Sequence, residues 1–187
     1  MLYQFFKDML DIVRLRFRAP EEYHYPLSVT LAAVLLLGLM NAAGVGVFFV
    51  SVPVAVAAAM LMTAAKWYVL SRVMRRVLKR KNEAAVPLWG FTLASEALAA
   101  PMLVLLYEPT QAVALVCMFW QTWIFWTQFA GFMKLGRASF GRVLLGYAVY
   151  VCAVVLVVFL LLMVFLQLGW LDIEGIRQQF ETMQNAG

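Results

Sequence analysis

The chain has 187 residues, of which 65% are hydrophobic and 13% charged, with a formal net charge of +5; ordinary soluble domains run at about 45–50% and about 25%. That composition excludes a soluble globular domain and predicts an all-α, polytopic membrane protein. The positive charge is gathered into short stretches, six cations falling in RVMRRVLKRK at 72–81, a segregation that a bilayer imposes.

At the N-terminus, MLYQFFKDMLDIVRLRFR sets apolar positions 2, 5, 6, 9, 12, 13 and 17 on one helical stripe and Gln4, Lys7, Asp8, Asp11, Arg14 and Arg18 on the other. Such a helix is expected to lie in the headgroup plane, with Arg14, Arg16 and Arg18 against anionic lipid. APEEYHYP then interrupts the chain before the first long apolar block, so no cleaved signal peptide is expected. Residues 1–26 read as a cytoplasmic amphipathic helix and linker.

From residue 27 the chain runs through 39 uncharged positions before Lys66, enough for two crossings at about 17–25 residues each. The reversal is expected at NAAGVG, Asn41 to Gly46, with Pro53 near the start of the second helix. Further spans are expected over about 87–107, about 111–133 and about 143–169. Residues 27–169 thus form a five-helix transmembrane domain, followed by a short external amphipathic tail at 170–187, where Ile173, Ile176, Phe180 and Met183 recur at helical spacing. Lysine and arginine number four in 1–26, seven in 66–83 and three in 134–142, against Arg177 alone on the other side. The positive-inside rule then puts the N-terminus in the cytoplasm and the C-terminus outside. In the basic stretch, Arg75, Arg76, Lys79, Arg80 and Lys81 anchor this topology by snorkelling and offer a docking patch for anionic lipid or an acidic partner.

The third span contains TLASEALAAPMLVLL and so places Glu96 in hydrocarbon. An unpartnered charge there costs at least about 2.5 kcal/mol, and the carboxyl is expected to be neutral or partnered. Gln121 falls at matched depth across the hairpin and Gln128 shares its face, so that Glu96, Gln121, Gln128 and Thr92 form an expected intramembrane polar cluster. Pro101 deprives the Ala97 carbonyl of its helical donor. In FWQTWIFWTQF, residues 119–129, Trp120, Trp123 and Trp126 cannot share one face, and some are expected to meet lipid.

The rest of the sequence argues against catalysis. His24 sits in a linker with only Glu21 and Glu22 beside it, and Cys117 and Cys152 read as small packing residues without metal or redox spacing. GVG and GRASFGR lack a phosphate-loop pattern, and no nucleophile is paired with a base. No catalytic residue, metal or cofactor is expected. Nucleic acid is not an expected partner either, because no aromatic platform accompanies the basic stretch.

A tryptophan-rich fourth span, the basic turn KLGRASFGR, then VLLGYAVYVCAVVLVV, preceded by SEALAAPMLVLL, together resemble the Yip family of membrane proteins first linked to Rab-type GTPases. The resemblance covers roughly residues 27–169, and the positions that carry it are Pro101, Gly146 and Tyr147. The longer N-terminal region and aspartate-leucine-tyrosine-glycine-proline signature of eukaryotic members are missing here. The resemblance therefore implies a compact, bacterial-type member without a Rab partner. The expected function is that of a non-enzymatic organiser or assembly partner for membrane proteins or lipids. The alternative is a small transporter or lipid-translocating subunit with Glu96 as a buried titrating carboxyl. Expected partners are anionic headgroups, other membrane proteins or further copies of the chain.

Overall fold

The structure, a computed structural model, describes residues 2–79, 86–104, 110–175 and 177. Helices run over Leu2–Val13 (α1), Leu27–Val45 (α2), Val52–Leu78 (α3), Trp89–Ala97 (α4), Gln111–Leu135 (α5) and Phe140–Gln167 (α6), with 3-10 turns at Pro20–Glu22, Gly46–Phe48 and Ala100–Leu103. Among the described residues there is no β-strand, only an isolated bridge between Phe49 and Leu171. Four helical segments, Leu27–Phe48, Val52–Leu78, Gln111–Leu135 and Phe140–Gln167, are long and apolar enough to cross a membrane. The protein is thus all-helical and has the build of an integral membrane protein.

Two boundaries depart from expectation. The first reversal falls later than Asn41 to Gly46, because the alanines and valine of NAAGV continue α2 to Val45 and the turn follows over residues 46–51. Val50 N–H donates to the Trp170 carbonyl at 3.1 Å and Asp172 N–H to that of Phe48 at 3.1 Å, which ties this turn to the end of α6. Pro53 does occupy the first turn of α3, where its missing donor costs nothing. The second departure is in the expected third span, which is not one continuous helix. α4 ends at Ala97, and the backbone tightens toward i→i+3 bonding: Leu98 N–H to Ser95, Ala99 N–H to Glu96 and Met102 N–H to Ala99. Pro101 cannot supply the next helical donor, so the helix breaks there. Residues 105–109, the remainder of that span, lie outside the described residues, as do 176 and 178–187 of the tail, and with them Ile176, Phe180 and Met183 of its expected apolar stripe.

α3 is the central helix, with α2 along one side and α6 along the other. Close approach to α6 depends on Gly146, where a Cβ would lie 2.8 Å from Met74 Sδ. α4 lies among α1, α2, α3 and α5, and Leu70, Met74, Leu88, Phe91, Phe132 and Val143 are fully buried around it. A second, smaller cluster of Phe49, Ala55, Ala58 and Phe165 closes the opposite end, with Trp170 stacked on Phe165. The outward face of α6, including Leu144, Val155, Phe159 and Leu160, is exposed. Each such side chain would sit comfortably in hydrocarbon.

The N-terminal helix is not simply laid on a surface. Phe5 and Ile12 are buried against the bundle, and Asp8, expected on the polar stripe, is 1% exposed. The linker folds back and supplies this carboxylate with partners, as a buried charge requires. Gln4 Nε2 and Tyr25 OH each donate to Asp8 at 2.8 Å, and Arg18 lies 3.3 Å away. Arg18 also pairs with Asp11 at 2.9 Å, so it closes an internal network instead of facing lipid. Burial pushes the Tyr25 phenol well above its ordinary value, and the bond to the Asp8 carboxylate adds to the effect. Arg14 and Arg16 remain exposed, together with an apolar edge of Leu2, Phe6 and Leu10.

Candidate functional site

Near the middle of α3, Lys66 extends toward the end of α4, and its Nζ lies 3.2 Å from Glu96 Oε2. This is the company that a carboxylate at such a position requires. Lys66 was counted above among the loop cations, whereas it belongs to the interior of a helix that continues to Leu78. The two partners are unequally covered, with side-chain exposures of 44% for Lys66 and 17% for Glu96. The glutamate therefore forms the deeper end of the pair and the lysine the outer end.

The pair borders a cavity of about 420 Å³. Asn41, Lys66, Glu96, Gln121 and Gln128 supply its polar lining, while Met40, Met102, Leu103, Ile124 and Phe125 make it apolar elsewhere. Four chain segments line it, α2, α3, α5 and the end of α4 with its Ala100–Leu103 turn. Trp120 Nε1 donates at 2.9 Å to the Leu98 carbonyl, one of the acceptors at the break. Trp123 Nε1 similarly donates to the Val13 carbonyl at 3.2 Å, so it fastens α5 to the end of α1. Of the three tryptophans, Trp126 is the exposed one, at 50%.

Among the described residues, α5 is packed chiefly through its second half. Ile124, Thr127, Gln128, Phe129, Phe132 and Leu135 are buried in its second half, whereas Leu115, Val116, Met118 and Phe119 in the first half are exposed. Its ring contacts with α6 fall at Phe125, Phe129 and Phe132, against Phe140 and Tyr147. The cavity is accordingly open beside the first half of α5, where Asn41 and Gln121 are exposed.

The expected polar cluster is assembled in part. Glu96, Gln121 and Gln128 share the cavity, but the direct partner of Glu96 is Lys66, and Gln121 makes no side-chain hydrogen bond to a described residue. Gln128 is buried; its Nε2 donates to Ser95 Oγ at 2.9 Å and its Oε1 accepts from Tyr147 OH at 2.7 Å. Tyr147, singled out above by resemblance alone, thus orients a cavity residue. Thr92 lies outside the cavity, hydrogen-bonded to Ser71 and to the Leu88 and Trp89 carbonyls. Asn41 Nδ2 donates to Thr63 Oγ1 at 2.8 Å, joining α2 to α3. Asn41, Thr63, Lys66, Ser71 and Ser95 are not among the site residues expected from the sequence. The available signal was the single cation Lys66, isolated by five uncharged residues from the next at Arg72.

On the basic end, Arg76 and Lys79 are exposed and Arg75 is half-buried, while Arg80 and Lys81 lie outside the described residues. Arg142 caps the end of α3 by donating to the carbonyls of Val77 at 2.8 Å and Lys79 at 2.7 Å, the groups a helix C-terminus leaves unpaired. Of the cysteines, Cys117 is buried as a packing residue would be, but Cys152 is exposed on α6. Comparison with family models, with curated proteins and with solved structures returns no match.

Proposed function

We propose that this is a non-enzymatic membrane protein that accepts a polar group in the Lys66–Glu96 cavity, as a small transporter or lipid-translocating subunit. The observation that carries this reading is an ion pair bordering an open cavity, at the break of one helix and near the middle of another. Charges at bilayer depth are costly unless they face a cavity or each other, and broken helices at that depth characteristically line binding sites. In this reading α4 and its 3-10 extension form a fifth crossing. Thirteen of the fifteen cations then flank the cytoplasmic side, with Lys66 inside the membrane and Arg177 beyond it. A bacterial inner membrane, a Yip-type organisation and a cytoplasmic N-terminus fit that arrangement. The exposed edge of Leu2, Phe6 and Leu10 supports an interfacial seat for α1, with Arg14, Arg16, Arg76 and Lys79 available to anionic lipid.

The second reading, an organiser of other membrane proteins, is favoured by the long uncovered face of α6. Purified protein in liposomes separates the two. Transbilayer movement of a headgroup-labelled lipid, or uptake of a small zwitterion, is expected for the native chain and lost in Lys66→Met with Glu96→Leu. A native chain that moves neither, yet copurifies with a stoichiometric protein partner, would replace the first reading by the second.

A further inference from the structure

We infer that the cavity binds a zwitterionic phospholipid headgroup of the ethanolamine type, its phosphate at Lys66 and its ammonium at Glu96. The inference rests on reading the cavity as a binding site for a polar group, and it names the ligand class from charge, order and shape. Charge comes first. An ion pair at this depth is tolerable because its members neutralise each other. A ligand carrying one charge would bind one member and strand the other, whereas a zwitterion inserts between them and gives each a new partner. The site remains neutral before, during and after exchange.

Order selects among zwitterions. In an ethanolamine lipid the phosphate lies nearer the acyl chains and the ammonium at the tip. The site has the matching sequence of charges, with the cation Lys66 at the more exposed position and Glu96 deeper. The primary ammonium can also donate charge-assisted hydrogen bonds to the Glu96 carboxylate, which a trimethylated ammonium cannot. The exposed carboxamides of Gln121 and Asn41 stand beside this path to satisfy phosphate and ester oxygens. Shape favours the lipid over a free solute. About 420 Å³ has room for a headgroup, and the walls of Met40, Met102, Leu103, Ile124 and Phe125 are apolar. The chains would leave past the uncovered first half of α5, where Leu115, Val116 and Phe119 already face outward.

Binding by the purified full chain to phosphatidylethanolamine, phosphatidylglycerol and phosphatidylcholine, measured by native mass spectrometry, tests this directly. The expected result is a preference of about tenfold for the ethanolamine lipid over each of the others. Lys66→Glu combined with Glu96→Lys retains an ion pair but reverses its order, so it should fold with native thermal stability and lose the preference. Lys66→Arg combined with Glu96→Asp preserves the order and should keep it, which covers the case in which the reversed pair does not fold. Equal binding of the three lipids overturns the inference, as does a preference that survives reversal. So does displacement of the lipid by soluble glycerophosphoethanolamine at equal concentration, since that would make the acyl chains irrelevant. Selective binding without any transbilayer movement would uphold this inference and sink the transport reading, whereas movement without selectivity would do the reverse.

Discussion

Lys66 and Glu96 show how a charge is kept inside an apolar fold. Neither is well tolerated alone in an apolar bundle, and together they still lose hydration that a pair of apolar residues would not. A double-mutant cycle exposes this. Lys66→Met and Glu96→Leu should each lower stability by about 1–2 kcal/mol, less than the roughly 3–5 kcal/mol typical of breaking a fully buried pair, because Lys66 is 44% exposed. Lys66→Met with Glu96→Leu should recover that loss or exceed native stability. Thermal unfolding in detergent reads all three, and additive losses in the double variant would show that the two side chains do not act as a pair.

Among the elements, α1 is the one whose role changes most between sequence and structure. Its periodicity announces one apolar face, yet the fold divides that face between two environments: Phe5 is 6% exposed and Phe6 is 53% exposed. Substituting each separately therefore distinguishes packing from lipid contact. Phe5→Ala should free α1 from the bundle at a cost of about 3 kcal/mol and open the linker to protease. Phe6→Ala should leave protease protection intact, with a stability change under about 0.5 kcal/mol. Equal protection in both variants would mean that Phe5 does not hold the helix. α4 illustrates a different compromise. Gly90 lets it press against the linker, since a Cβ there would overlap the Tyr23 carbonyl, and the same short helix then ends just after the carboxylate it presents to Lys66.

For the molecule as a whole, the proposed five crossings follow from treating the broken α4 segment as a full traverse. Single cysteines in a background lacking Cys117 and Cys152 decide it. With an impermeant thiol reagent on intact cells, positions 51 and 110 should be labelled and positions 79 and 138 protected. Labelling of 51 and 110 on opposite sides would leave four crossings and place α4 as a re-entrant segment. The reversal joining α2 to α3 also pairs with the end of α6 through the Phe49–Leu171 bridge, which is consistent with both lying at one membrane face.

Composition and hydropathy by themselves determined the class of the protein, its helical character and the positions of its four long apolar helices, because hydrocarbon admits little besides satisfied helices. The donor missing at Pro101 and the anomaly of Glu96 were also visible, since both are local chemical facts, but the expected span was continuous and its break after Ala97 was not. Tertiary structure alone decided what met them. Lys66 looked like the first cation of a basic loop, and only the continuation of α3 past it carried its ammonium to Glu96. Asp8 looked solvated until the linker brought Tyr25 and Arg18 over it. Periodicity reports which residues share a face, but the partner a buried charge finds depends on how helices distant in sequence are brought together, and that arrangement is a property of the packed bundle.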